Sequence, residues 1–167
     1  MNEIDELSRQ LGEACVLAKV LLATAESCTG GGVGEAITRT AGSSAWFDRG
    51  FVSYSYDAKV DLLGVKQETL GSHGAVSEAV AREMAQGALH QSRADIAVAV
   101  TGVAGPGGGT ATKPVGLVWF AWAALDGAVE SRFEVFGGDR AAIRQQAVVE
   151  ALKGLLALAT REAQKGA

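Results

Sequence analysis

The sequence predicts an α/β domain on a mixed β-sheet. Short apolar runs that end in glycine- or hydroxyl-rich turns alternate with amphipathic stretches, and a hairpin signal, Asp126-Gly127, joins two late strand-like runs. A chain of 167 residues is the usual size of one domain, and at that length roughly 70% of the unfolded chain's surface can be buried. Residues 1–167 are therefore read as one domain with one core.

Ile4, Leu7, Leu11, Cys15 and Ala18 recur at three- and four-residue spacings, so Ile4 to Lys19 is an amphipathic opening helix. Val20 to Ala25 is a short buried strand. Ser27 and Thr29 stand where a second helix can begin, with Val33, Ala36 and Ile37 as its apolar face. After the turn Ala41-Gly42-Ser43-Ser44, the stretch Gly50 to Tyr56 alternates Phe51, Ser53 and Ser55 against Val52, Tyr54 and Tyr56, as a two-faced strand does. Asp57 can cap a short helix through Leu63, and Ser77 starts a helix that runs to about Gln91. Ile96 to Thr101 has the length of a strand and leads into the loop TGVAGPGGGT. Leu117 to Leu125 and Ala128 to Val135 flank the hairpin turn, and a last helix runs from about Asp139 to Ala163. Early βαβ-like pieces followed by a hairpin give the sheet its mixed character.

Composition removes several function classes. No apolar run approaches the ~18 residues of a membrane span, and the polar, acidic start MNEIDELSRQ is unlike a signal peptide, so a cytoplasmic protein is expected. Cys15 and Cys28 make no disulfide framework, and with His73 and His90 they offer no metal-ligand spacing; no metal and no cofactor are expected. A net charge of −4, with fifteen basic residues scattered among nineteen acids, argues against nucleic acid as a partner. A homo-oligomer is compatible with this composition.

Three turns follow strand ends: AESCTGGG at 25–32, AGSS at 41–44 and TGVAGPGGGT at 101–110. Ligands of α/β sheets bind at the carboxyl ends of strands, and Thr29-Gly30-Gly31 at a helix start can offer free amides and a positive helix end to a phosphate. Neither GxGxxG nor GxxxxGK[ST] is present. His73 reads as a turn residue, Cys28 as a small buried thiol, and Trp46, Trp119 and Trp122 as packing residues, with Trp46 or Phe47 the less favoured choice for lining a ligand ring.

AESCTGG, GSSAWFDRGFVSYSYDAK, HGAVSE, AVTGVAGPGGGT-x-x-KPVG and GDR before a Gln-containing helix occur in this order. From about Leu21 to the last helix the chain thereby resembles the C-terminal domain of the CinA family, whose stand-alone members are similar to nicotinamide mononucleotide deamidases. The resemblance implies an α/β/α sandwich and hydrolysis of the carboxamide of nicotinamide mononucleotide to nicotinate mononucleotide and ammonia. It also implies a set of site residues: Ser27 of AESCTGG, Ser44 of GSS, Tyr54, Lys59, Thr101 before GxAGP, and Arg140 of GDR. Thr29, Gly30, Gly31, Gly102 and Gly105 of the adjoining turns are expected to bind substrate. Thr110-Ala111-Thr112 before KPVG and Tyr56-Asp57 depart from the commonest family pattern. The molybdopterin-binding-like domain of long CinA proteins has no counterpart in these motifs, and its pyrophosphatase activity is not expected.

An amide is a poor electrophile and a serine hydroxyl a poor nucleophile, so the serine must lose its proton as it attacks. With no His–Asp pair in view, lysine is the base left, and the site must hold its pKa roughly 2 to 4 pH units below the reference ~10.4 through burial or nearby positive charge. Ser44 is expected as nucleophile because one turn and one strand can fold back to bring it to Lys59. Ser27, with its backbone amide, and Thr101 are expected as polar site residues, and Tyr54 beside the lysine. Two other readings compete: a non-catalytic nucleotide-binding or regulatory module, and an amidase of another small amide.

Overall fold

The computed structural model describes residues 2–166. Six helices and five strands follow in the order α1 (Glu3–Ala18), β1 (Leu22–Glu26), α2 (Gly32–Thr38), β2 (Phe47–Val52), α3 (Tyr56–Leu63), α4 (Gln67–His73), α5 (Glu78–His90), β3 (Ile96–Gly102), β4 (Leu117–Ala124), β5 (Val129–Val135) and α6 (Arg140–Lys165). The sheet order is β2-β1-β3-β4-β5. β1 lies parallel to both β2 and β3, whereas β3–β4 and β4–β5 are antiparallel, which is the mixed α/β sheet the sequence predicts.

Side-chain alternation assigns the helices to layers. On one face Leu22, Ile96, Val98, Val100, Val118, Phe120 and Trp122 pack against Leu11 of α1, Val33 and Ile37 of α2, and Ile143 and Leu155 of α6. On the other face the strands present almost only small residues, Ala23, Ala25, Ala97, Ala99, Ala121 and Ala123, beneath Leu63, Leu70, Val80 and Met84 of α3, α4 and α5. Alanine on the pleat lets α5 sit close to the sheet. That helix also runs close to the end of α3: a Cβ on Gly87 would lie 1.9 Å from the Leu63 carbonyl oxygen.

Several boundaries differ from the sequence expectation for identifiable reasons. The second strand begins at Phe47 and ends at Val52, because pairing with β1 rather than local alternation sets its extent. Ser55, not Asp57, caps α3: its side chain accepts from the Ala58 N–H at 3.0 Å. α2 starts at Gly32, after a turn through Cys28–Gly31, and not at Ser27 or Thr29. The short α4 was not expected, having neither a side-chain N-cap nor a long apolar stripe; Leu70 is its one buried residue. Asp139 and Ser77 cap α6 and α5 as anticipated.

Trp122 and Trp46 are buried packing residues; Trp119 is half-buried and stacks obliquely on Phe133. Trp122 donates from Nε1 to the Ala151 carbonyl at 3.1 Å, and its ring crosses α6 at Gly154, where a Cβ would stand 2.0 Å from Cε2. Gly154→Ala should therefore destabilise the fold by roughly 1–3 kcal/mol through overpacking, despite alanine's better helix propensity. A urea midpoint that does not fall, at constant m, would mean that the ring moves aside freely.

Candidate active site

The carboxyl ends of the three parallel strands bring the site together. Glu26 of β1 is in register with Val52 of β2 and Val100 of β3, so Ser27, Ser53 and Thr101 emerge side by side one residue later. The Ser27 N–H donates to the Val100 carbonyl at 3.0 Å, and the Ser53 N–H donates to the Glu26 carbonyl at 2.8 Å. Period-2 alternation then sorts the two ends of β1: Ala23, Ala25 and Ser27 belong to the face covered by α3–α5, and Glu26 to the face covered by α2 and α6.

Lys59, on the first turns of α3, is 1% exposed and lies over this end of the sheet. Its Nζ is 3.0 Å from Ser27 Oγ, 2.8 Å from the Ser53 carbonyl and 2.9 Å from the Tyr54 carbonyl. Burial pushes the ammonium down to about 8 from an ordinary 10.5. A neutral amine has two N–H groups and one lone pair. With the two carbonyls taking both N–H groups, the lone pair is left facing the Ser27 hydroxyl. Desolvation thus supplies the lowered pKa that the sequence left open between burial and a neighbouring cation.

Ser44 is corrected by this geometry. It is exposed in a short 3₁₀ turn, Ser43–Ala45, that precedes β2. Trp46 accepts there from the Leu22 N–H, at the amino end of β1. Ser44 and Lys59 thus lie at opposite ends of the six-residue β2, roughly 20 Å of strand apart. A fold-back would have required a hairpin, but β2 pairs parallel to β1 and carries the chain away from Ser44. Trp46 and Phe47 share that remote end, so neither lines this site.

The Thr29 hydroxyl, the Gly30 N–H and the first amides of α2 are likewise not open to an anion. The buried Glu26 carboxylate already occupies the start of α2: Oε1 accepts from Thr29 Oγ1 at 2.5 Å and from the Val33 N–H at 2.8 Å, and Oε2 accepts from the Gly34 N–H at 3.0 Å. Gly30 N–H is spent on the Ser27 carbonyl, and Gly31 is the N-cap of α2. Glu26 went unnoticed as a sequence feature, although a carboxylate inside an otherwise apolar strand signals a satisfied internal partner. Ser53 was also missed; its carbonyl holds Lys59 and its hydroxyl donates to the Glu26 carbonyl at 3.2 Å.

A cavity of about 200 Å³ opens over the Ser27–Lys59 pair, lined also by Cys28, Tyr54, Thr101, Gly102, Ala104 and Arg140. Thr101 Oγ1 donates to the Ala75 carbonyl at 2.9 Å. Tyr54 is 60% exposed, and Arg140 at the start of α6 reaches across to it, donating from Nη2 to Tyr54 Oη at 3.3 Å and from Nη1 to the Gly105 carbonyl at 2.7 Å. A second cavity of about 430 Å³, with Pro106, Val115 and Asp139, shares Ala104 and Arg140 with the first. Burial pushes the Cys28 thiol up to about 12, so it is a thiol at neutral pH and no nucleophile. His73 ends α4, where its carbonyl accepts from the Lys113 ammonium. No group of three or more His, Cys, Asp or Glu suited to a metal exists among the described residues.

A family model described as the CinA C-terminal domain matches residues 4–159. The chain is 54% identical over 154 residues to the nicotinamide-nucleotide amidohydrolase PncC of Escherichia coli (strain K12), covering 92% of this chain and 93% of that one. It is 52% identical over 161 residues to the nicotinamide-nucleotide amidohydrolase PncC of Pseudomonas putida, covering 96% and 99% of the two chains. Among solved structures, the competence/damage inducible protein CihA from Agrobacterium tumefaciens superposes with a TM-score of 0.93 at 51% identity, over 95% of this chain and 96% of that one.

Proposed function

The chain belongs to the CinA C-terminal domain family, and from that premise we propose that it hydrolyses the carboxamide of nicotinamide mononucleotide to nicotinate mononucleotide and ammonia, with Ser27 as nucleophile and Lys59 as base. The observation that carries the mechanism is the buried Lys59 amine, oriented by two carbonyls onto the hydroxyl of Ser27 at 3.0 Å. Attack of Ser27 Oγ on the carboxamide carbon transfers the serine proton to Lys59 Nζ. The tetrahedral intermediate then collapses, Lys59 returns that proton to the leaving nitrogen, and ammonia departs from an acyl-Ser27 ester. Water, deprotonated by the same amine, attacks the ester; the nucleotide carboxylate leaves and Ser27 regains its proton.

Arg140 supports recognition of a phosphorylated substrate. It sits at the amino end of the 26-residue α6, where the helix dipole favours anions, and it borders both cavities without a carboxylate partner among the described residues. We assign the phosphate role to Arg140 alone, because Glu26 fills the start of α2. We place the reaction in the cytoplasm, on one domain spanning 1–167. No helix among the described residues is long and apolar enough to cross a membrane.

Ammonia release from nicotinamide mononucleotide by the purified protein tests the proposal directly. Nicotinamide riboside should be the poorer substrate, and Arg140→Ala should narrow the preference by about 10- to 100-fold in kcat/KM, the value of one charge-assisted hydrogen bond of ~1.5–3 kcal/mol. Equal kcat/KM for mononucleotide and riboside in the unmutated protein would point instead to a hydrolase of small amides in general.

A further inference from the structure

The turn that carries Ser27 is held from the side of the sheet opposite Lys59. Arg144, one helical turn beyond Arg140 on α6, donates from Nε to the Cys28 carbonyl at 3.1 Å and from Nη2 to the Thr29 carbonyl at 3.2 Å. Among the described residues its guanidinium has no carboxylate partner; two main-chain carbonyls are its acceptors. The Glu26 carboxylate holds the same turn through the Thr29 hydroxyl and the first amides of α2. A planar trans peptide points its N–H opposite to its carbonyl. With the Cys28 carbonyl fixed on Arg144, the Thr29 N–H must point away from Arg144, and it has no acceptor among the described residues.

We infer that Arg144 is a positioning residue for the proposed reaction, fixing the Cys28–Thr29 peptide so that the Thr29 N–H is held ready for the oxyanion that forms as Ser27 attacks. The inference rests on the proposed Ser27 chemistry. A rigid fork suits the task, because the guanidinium grips two successive carbonyls at once, whereas a lysine ammonium at the end of a flexible stem is a single point charge. Preorganised donors of this kind act on the transition state more than on bound substrate, so their disturbance falls on kcat.

Arg144→Ala, at an exposed helix position, is expected to lower kcat about 10- to 100-fold with little change in KM for nicotinamide mononucleotide. The dependence of kcat/KM on pH should keep its shape, since Lys59 is untouched. Arg144→Lys should lie between the two, and added guanidinium should partly restore the alanine variant. Amide hydrogen exchange followed by mass spectrometry should quicken in peptides covering residues 27–34 and nowhere else. A raised KM for the mononucleotide with kcat preserved would overturn the inference and make Arg144 a phosphate ligand. Unchanged exchange in 27–34 would overturn it as well. If the unmutated protein releases no ammonia from nicotinamide mononucleotide, the proposed function fails on its own account, while the exchange comparison still decides whether Arg144 holds the turn.

Discussion

Ser27→Ala and Lys59→Ala should each lower kcat by on the order of 10⁴-fold or more, and the double variant should be scarcely worse than either one, because members of a catalytic unit are strongly non-additive. Ser44→Ala should retain near-normal turnover, since Ser44 is exposed at the amino end of β2 while Lys59 touches Ser27. Steady-state kinetics with nicotinamide mononucleotide, together with urea midpoints to confirm that each variant is folded, provide the measurement. Ser27→Ala leaves both carbonyl acceptors of the amine in place, so a folded, inactive protein is the expected outcome. Near-normal turnover by Ser27→Ala with loss of activity in Ser44→Ala would reverse the assignment.

The pH dependence of kcat/KM should follow the free amine of Lys59. With its pKa brought to about 8 by burial, the neutral fraction falls tenfold for each pH unit below that value. The rate should therefore drop by about 10³-fold between pH 8 and pH 5 and level off above pH 8. A profile flat from pH 5 to 8 would exclude Lys59 as the base. The same group links activity to stability. Its folded pKa, about 8, is below the unfolded value near 10.5, so below pH 8 both states hold the proton and the cost of burying the ammonium is fully present. Between about pH 8 and 10.5 the unfolded chain binds more protons, and this group's contribution to stability improves as pH rises. Comparing unfolding of the unmutated protein with Lys59→Met across that window isolates the contribution, because other titrating groups are common to both; the difference in stability should move in favour of the unmutated protein as pH increases.

Local regularities made most of the architecture legible in the amino-acid sequence. Three- and four-residue apolar spacing marks α1 and α6, Ser77 and Asp139 mark helix starts, and Asp126-Gly127 marks the β4–β5 hairpin; each is decided within a few residues by backbone geometry and capping chemistry. The ordered motifs of the family likewise singled out Ser27, Ser44, Tyr54, Lys59, Thr101 and Arg140, and the fold brings all of them except Ser44 around one cavity. What sequence spacing could not decide was which serine meets the lysine. Ser44 is nearer to Lys59 along the chain, but the parallel register of β1 and β2 carries Ser44 to one end of the sheet and sets Ser27 beside Lys59 at the other. The start of α2 is a similar case: Thr29-Gly30-Gly31 has the composition of an anion site, yet the alternation of β1 turns Glu26 into that position and fills it. Strand pairing and burial are non-local: register selects the partners, and exclusion of water by α3 and its neighbours sets the basicity of the Lys59 amine.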